Sequence, residues 1–483
     1  MNDDSSAAAL AGSLRKELDR YPPDGKLPSS RVLVERFGVS PVTVSRALAA
    51  LAAEGLVVTR PGAGTYRAAE PAGRPRTVDT SWQQVALTAE DPDAAPRVVD
   101  ASAVLATLAA PPPGVIAFTG GYLHPSLQPE QALGAALARA ARRPGAWERP
   151  PVEGLAALRA WFGREAGAGP AQVLITAGGQ AALTTALRAL APPGGAVLVE
   201  SPTYPGALAV ARAAGLRPVP VPLDADGVRP DLLADAFAAS GARVFLCQPL
   251  FQNPTGAVLA AGRRRRVLDL AHAAGAFVVE DDFARRLGHG GPLPPPLIAD
   301  DPYGTVVHVA SLTKATSPSL RIGALIARGP VVERLRAIQV VDSFFVPRPL
   351  QEATLELVGA PAWPRHLRAV AAGLRERRDA MLAALRHRLP ALVPDPAPSG
   401  GYQLWLRLPD GTDETALTTA ALRSGVAVAA GRPYFPAESP APYVRVTFAD
   451  TTGAEEITEG VRRFALALAL TGEGEGTHSG RYG

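Results

Sequence analysis

Lysine is nearly missing from this chain. Of 49 Lys plus Arg residues only three are lysine, Lys16, Lys26 and Lys314, and arginine carries the positive charge everywhere else. Cysteine is scarcer still. Cys247 is the one thiol, which excludes an internal disulfide and fits a reducing compartment; within RVFLCQP it reads as a buried strand residue. No run of about 18 apolar residues is free of charge, so no membrane span is predicted. The start, MNDDSSAAALAGSL, is acidic and lacks a long apolar core, so it is read as no secretory leader, and a cytoplasmic location is expected. Gly 47 and Pro 48 are plentiful but fall in punctuating clusters without a repeat, which excludes collagen-like and coiled-coil readings. No metal site is expected.

What is present is a globular composition. The chain has 483 residues with 47% hydrophobic and 19% charged, enough for two to four domains at roughly 150 residues each. Alanine dominates the apolar share and favours helices. The net charge of +4 is unevenly placed: residues 12 to 67 carry nine Lys/Arg against five acids, an excess as large as that of the whole chain. A polyanionic partner for the N-terminal segment follows.

Residues 1–68 read as a helical unit ending in a hairpin. ALAGSLRKEL is a first amphipathic helix. LPSSRVLVERFG begins with a Ser cap and spaces Val32, Leu33 and Phe37 as an apolar face. In GVSP, Ser40 is an N-cap and Pro41 fits the first helical position, and the helix VTVSRALAALAAEG ends at Gly55. LVVTRPGAGTYRA is a hairpin around Pro-Gly-Ala-Gly. Residues 69–113 read as a linker with a short helix at 101 to 109, and 471–483 as a disordered tail. Between them, over 114–470, β runs such as QVLIT, AVLVE, RVFLCQP, AFVVEDD and VVHVAS alternate with helical runs, as in a sheet covered on both faces. The larger part of this region spans about 155–345 and a smaller part 346–470.

Helix, tight turn, helix and hairpin is a winged helix-turn-helix pattern. Its second helix would enter the major groove and present Ser40, Thr43 and Arg46, with Arg31 near the backbone and the wing glycines Gly62 and Gly64 close to phosphate or minor groove. Periodicity alone leaves a small protein-binding helical module equally open. The wording LPSSRVLVERFGVSPVTVSRALAALAAEGLVVTRPGAGTY resembles the winged-helix domain of GntR-family transcription regulators. It departs at Pro41, where that family often has Arg.

Lys314, in SLTKATSPSLRIG, is the residue that arginine cannot replace in Schiff-base chemistry. A solvated or ion-paired lysine is the bland alternative. A pyridoxal phosphate (PLP) site would need a carboxylate facing the ring nitrogen, and Asp281 and Asp282 close the strand FVVEDD at its carboxyl end. It would need amides at a helix start for the phosphate, offered by Gly178, Gly179 and Gln180 in LITAGGQAALTTALRAL, with Ser311 and Arg321 flanking the lysine. Tyr204 could cover the ring and Asn253 bond its phenolic oxygen. Taken singly, Asp281 could be a loop or capping acid, and the Gly-Gly turn is common in α/β folds.

QNPTG, VVEDD and SLTKATSPSLRIG, in this order, resemble the fold-type I aminotransferases, and GGYLHPSLQPE, EGLAALRAWF, SGGYQLWLRLP and YVRVTFA extend the likeness over roughly 114 to 465. The resemblance implies an α/β fold with a mixed, mostly parallel sheet, helices on both faces and a smaller C-terminal α+β subdomain. It implies Lys314 as the PLP Schiff-base lysine, Asp281 as the ring-nitrogen partner, and Arg445 as the holder of an α-carboxylate. A winged helix fused to such a domain resembles the MocR subfamily of GntR regulators. That implies a PLP-dependent regulator that senses an amino compound or PLP, a double-stranded DNA operator, and a head-to-tail homodimer; a catalytically active aminotransferase with an accessory winged helix is the alternative. Two departures stand out. Phe283 and Ala284 occupy the place of a tyrosine that bonds the phenolic oxygen, which favours sensing over turnover, and Trp147 stands where a partner-subunit tyrosine is expected near the phosphate. The four arginines of GRRRRVLDLAHAAG read as a solvated helix face and His124 as structural.

Overall fold

The computed structural model describes residues 3–69, 79–88 and 98–473. The chain folds as two units, the first ending at Pro92 and the second beginning at Asp93.

In the first unit α1 (Asp3–Glu17), α2 (Ser30–Phe37) and α3 (Pro41–Ala53) precede the strands β1 (Val57–Arg60) and β2 (Gly64–Arg67). Local chemistry sets the helix ends. The Ser29 side chain accepts from Val32 N, Gly38 closes α2 at φ 62°, and Ser40 Oγ accepts from Thr43 N at 3.1 Å with Pro41 opening α3. Leu10, Leu14, Leu33, Val44, Ala47, Leu51 and Val57 form the core, where each fully buried aliphatic contributes about 1.5–3 kcal/mol. Val32, expected on the apolar face, is instead 47% exposed, because Leu33 and Val34 take the inward positions of that turn. The β1–β2 hairpin pairs Val57 with Arg67 and Arg60 with Gly64. A helix at Ser81–Thr88 and another at Ser102–Leu108 fall within the expected linker, whose residues 70–78 and 89–97 lie outside the described ones.

The second unit is built on β3 (Ile116–Ala117), β4 (Val173–Thr176), β5 (Ala196–Ser201), β6 (Arg217–Asp224), β7 (Gly227–Val228), β8 (Val244–Cys247) and β9 (Phe277–Asp282). There follow β10 (Val306–Ser311), β11 (Gly323–Ile326), β12 (Gln403–Arg407), β13 (Val426–Ala427), β14 (Ala429–Ala430) and β15 (Tyr443–Thr447). Eight of them form one sheet in the order β4-β11-β10-β9-β8-β5-β6-β7, in which β11 and β7 run antiparallel to their neighbours and the rest are parallel. Both faces are covered, so alternate residues of a strand enter different cores: Val278 packs with Phe245 and Leu198 on one side, Val279 with Leu246 and Val307 on the other. Cys247 is buried in this sheet, as its apolar run predicts.

The antiparallel sheet β12-β15-β14 and the helices Trp363–Arg388, Glu414–Arg423 and Ala454–Glu473 make the C-terminal α+β part. Its core of Leu404, Val444, Val446, Val461 and Phe464 also takes in Ile116 and Phe118, because β3 pairs with β13. The segment entering the unit is thereby anchored on the C-terminal part. The last helix continues three residues into the tail expected from 471, and the remainder of that tail lies outside the described residues.

Candidate functional site

Parallel strands deliver their carboxyl ends to one edge of the sheet, and the candidate residues leave from there. Asp281 lies in β9, Ser311 ends β10, and Lys314 follows three residues later. Gln248 follows β8, Tyr204 follows β5, and the Gly178–Gly179 turn follows β4. Together with Asn253 and Arg321 these residues, Gly178 excepted, line an open cavity with roughly 560 Å³ of space not filled by atoms, its mouth included. Thus Lys314, Asp281, Asn253, Tyr204, Gly179, Gln180, Ser311 and Arg321, separated in sequence, meet at one site.

Burial drives the Lys314 amine down to about 7, helped by the Arg445 and Arg321 guanidiniums and opposed by Asp281. An amine at that value is substantially unprotonated at neutral pH and can attack a carbonyl carbon. Asp281, 4% exposed, accepts from Gln248 Nε2 at 2.7 Å. Burial raises its carboxyl to about 6; Asp282 adds to the rise, while Gln248, Lys314 and His308 work against it. Gln248 Oε1 in turn accepts from Asn253 N at 3.0 Å, so one amide ties the acid to the loop that carries Asn253. Asn253 Oδ1 accepts from Arg445 Nη1 at 3.2 Å, and Arg445 Nη2 donates to Thr119 O at 2.7 Å. Arg445 is 2% exposed in β15 and its Nε has no hydrogen-bond partner among the described residues. It is a buried guanidinium with donor capacity to spare beside the cavity.

The Gly-Gly turn has a steric reason. Gly178 sits at φ 89°, and a Cβ there would lie 2.6 Å from Arg321 Nη2. Arg321 Nη2 donates to Ala177 O at 3.0 Å, which lays the guanidinium across the turn. Gly179 begins the helix Gly179–Leu190, and a Cβ there would stand 3.8 Å from Ser311 Oγ, so the helix start lies beside that hydroxyl. Free helix amides, a guanidinium and a hydroxyl converge as an anion cradle. The Tyr204 hydroxyl donates to Gln180 Oε1 at 3.3 Å, and burial raises its pKa. The Thr313 hydroxyl, on the cavity wall, is buried without a hydrogen-bond partner among the described residues. The donor set therefore fits a phosphorylated aromatic aldehyde: an amine for the aldehyde, an acid opposite, and unsatisfied donors for oxygen atoms.

Sequence reading missed Gln248, Thr313, Leu183, Tyr122 and Tyr402, which also line the cavity. Tyr122 and Tyr402 lie within the stretches GGYLHPSLQPE and SGGYQLWLRLP, which by themselves assign them no role. Phe283 is on the wall, 6.1 Å from the Tyr402 ring edge-on, whereas Ala284 is fully buried in the C-terminal core. Trp147 is 81% exposed and lines no part of this cavity. Nor is the arginine run simply a solvated face: Arg264 is 7% exposed and pairs with Asp300 at 2.6 Å, while Arg263 pairs with Asp224 and Arg265 with Asp269. His124 Nδ1 meets the Ser126 hydroxyl and amide, a capping role. Behind Asp281, Glu280, Asp282 and His308 gather within 4.8 Å. His308 Nδ1 bonds Glu280 at 2.8 Å, and Arg285 bonds Asp282, which makes a charge-balanced buried network.

In the first unit, α3 exposes Val42, Ser45, Arg46 and Ala49 along one face. Thr43 is a correction: it is 4% exposed, on the stripe with Val44, Ala47 and Leu51, and its hydroxyl meets Ser40 Oγ at 2.8 Å. It closes the helix start and does not face outward. Ser40, Arg31, Arg46, Gly62 and Gly64 are exposed, and Gly62 and Gly64 hold φ 73° and 116°. Ser45 is the exposed hydroxyl the sequence reading overlooked.

Residues 119–464 match the family model described as aminotransferase class I and II, and residues 7–66 that of bacterial regulatory proteins of the gntR family. A 2-aminoadipate transaminase of Thermus thermophilus is 34% identical over 74% of this chain and 90% of its own. The HTH-type transcriptional regulator TauR of Rhodobacter capsulatus is 29% identical over 93% of both chains. The crystal structure of LysN, an α-aminoadipate aminotransferase from Thermus thermophilus, complexed with N-(5'-phosphopyridoxyl)-L-leucine, superposes with a TM-score of 0.73 at 32% identity. That match covers 78% of this chain and 96% of that one.

Proposed function

Over most of its length the chain belongs to the class I and II aminotransferases, with a GntR-family domain ahead, and from that premise we propose a PLP-dependent DNA-binding transcription regulator that senses an amino compound or PLP itself. The observation that carries it is the joining, in one chain, of a lysine-centred cavity to a helix-turn-helix with an exposed face on α3. Likeness along nearly the whole chain to a protein named as a transcriptional regulator supports the reading, whereas the transaminase matches only the larger part.

In this reading Lys314 holds the cofactor covalently and Asp281 faces its ring nitrogen. Gly178, Gly179, Gln180, Ser311 and Arg321 take the phosphate, Tyr204 covers the ring and Asn253 reaches the phenolic oxygen. PLP supplies an aldehyde carbon and an electron-withdrawing ring that bind primary amines. Arg445 takes a carboxylate of the effector, which fixes its orientation. Arg31, Ser40, Arg46 and the wing glycines Gly62 and Gly64 meet an operator, with Arg46 reading bases and the others the backbone. The protein acts in the cytoplasm as a head-to-tail homodimer, and effector binding shifts the balance between two arrangements of that dimer.

An aminotransferase reading is favoured by the intact Lys314, Asp281 and Asn253 and by the named transaminase relative. Phe283, without a hydroxyl, stands against rapid turnover. The two readings part on two measurements with the same preparation: DNA binding to upstream fragments with and without PLP and amino acids, and steady-state keto-acid release. Salt-dependent, sequence-selective binding that changes with an amino compound supports the regulator. Robust multiple turnover without any DNA binding overturns it.

A further inference from the structure

The Lys314 amine rests among groups that come from distant parts of the chain. Its Nζ donates to the Gly121 carbonyl oxygen at 2.6 Å, lies 4.0 Å from the centre of the Tyr122 ring, and 5.7 Å from that of Tyr402. The charged groups around it are Arg445 and Arg321, which repel a cation, and Asp281, which attracts one. A ring face attracts an ammonium and gains little from a neutral amine. Gly121 leaves room for this arrangement: a Cβ there would stand 3.3 Å from Nζ and 3.4 Å from the Tyr402 hydroxyl.

We infer that Tyr122 is a positioning residue for Lys314: with the Gly121 carbonyl, its ring forms a seat that favours and holds the protonated form of the lysine while its nitrogen is not bonded to an aldehyde carbon. The inference rests on the proposed reading of Lys314 as the PLP-capturing amine. If the Lys314 nitrogen joins an aldehyde carbon in a C=N bond, water leaves and at most one N–H remains, any charge then being shared with that carbon, so the seat loses its ammonium. When an incoming primary amine takes over that carbon, the C–N bond to lysine breaks. The lysine nitrogen recovers the two protons given up by the incoming amine, takes a third from water, and returns to the seat. The neighbouring Thr119 carbonyl accepts from Arg445 at 2.7 Å, so both groups proposed to read the effector rest on residues 119–122. The occupancy of the site is thereby registered by the segment that β3 anchors to the C-terminal part.

The scarcity of lysine makes the test direct. Full-length protein labelled with 13C at the lysine ε carbon gives three side-chain signals to follow against pH, and Lys314→Arg identifies the one from Lys314. Expected is a midpoint near 7 in the wild type. In Tyr122→Leu, which keeps an apolar wall but removes the ring face, the midpoint falls by about 0.4 to 1.5 pH units, the range a cation–π contact spans. Tyr122→Phe keeps the wild-type value. An unmoved midpoint in Tyr122→Leu, or an equal shift in Tyr122→Phe, overturns the seat while leaving PLP capture untouched. Adding PLP at the end of each titration separates the other failure: a Lys314 signal that PLP leaves unchanged in the wild type removes the reading of Lys314, and the seat with it.

Discussion

Gln248 Nε2 donates to Asp281 Oδ2 at 2.7 Å, and the same amide accepts from Asn253 N through its oxygen. One side chain thus sets the orientation of the acid proposed to face the ring nitrogen and the position of the residue proposed to face the phenolic oxygen. Asp281→Ala is expected to weaken PLP binding by about 10- to 150-fold, the worth of one hydrogen bond to a charged group. Gln248→Leu keeps the volume and should give a smaller loss in the same direction. Absorbance titration with PLP measures both; unchanged affinity in Asp281→Ala removes the acid from the site.

The pH dependence of that contact has a definite sign. The Asp281 carboxyl stands near 6 rather than at an ordinary 3.8. Its contribution to the stability of the protein is therefore present below the unfolded value and is lost as pH rises through about 6. Holding a pyridinium requires the carboxylate, so PLP affinity should weaken by up to about tenfold per pH unit on descending below 6. A flat affinity between pH 7 and 5 contradicts this assignment.

Behind the site, His308 and Glu280 form a buried pair at 2.8 Å. Glu280 and neighbouring Asp282 raise His308 enough to outweigh burial, and His308 lowers Glu280 despite burial. The histidine's contribution is full below its unfolded pKa and fades as pH rises through the raised folded one. The Glu280 contribution is full above its unfolded pKa and fades as pH falls through the lowered folded one. His308→Gln leaves two buried acids with one cation fewer and should cost about 3–5 kcal/mol. Urea unfolding at neutral pH tests it; a loss under about 1 kcal/mol means the pair contributes little.

The burial of Thr43 separates substitutions at the start of α3 from one on its exposed face. Ser40→Ala and Thr43→Val act on the helix start and should destabilise the first unit by about 0.5–2 kcal/mol each. Arg46→Ala should cost about 1–3 kcal/mol of sequence-selective DNA binding. Thermal melts alongside binding isotherms show whether the effects divide in this way.

Much of this was legible in the residues themselves. Short β-branched runs such as QVLIT and the Val278–Val279 pair of β9 are strands because a sheet covered on both faces buries both alternating rows of side chains. The isolated Lys314 pointed to amine chemistry because arginine had replaced lysine elsewhere. The inward turn of Thr43 was readable from its spacing to Ala47 and Leu51, but hydroxyls draw attention outward. Tyr122 and Tyr402 were not readable as site residues. One leaves the entering segment and the other precedes β12, and the pairing of β3 with β13, with the bonds from Thr447 N to Phe118 O and from His124 N to Ala449 O, brings that segment to the C-terminal part that carries β12. Gln248 was hidden differently: its partner Asp281 lies one strand over, and sheet order is not written in local periodicity.

The central claim is that a covalent cofactor on Lys314 controls how the first unit binds DNA. The direct measurement is fluorescence anisotropy of an upstream DNA fragment titrated with PLP-loaded wild type and with Lys314→Ala, each with and without a panel of primary amino compounds. If Lys314 is the sensor, at least one amino compound shifts wild-type affinity by about 5- to 150-fold, the usual span of allosteric coupling. Lys314→Ala should then bind the same fragment with no shift. An identical response in Lys314→Ala, or visible PLP absorbance retained without that amine, contradicts the claim.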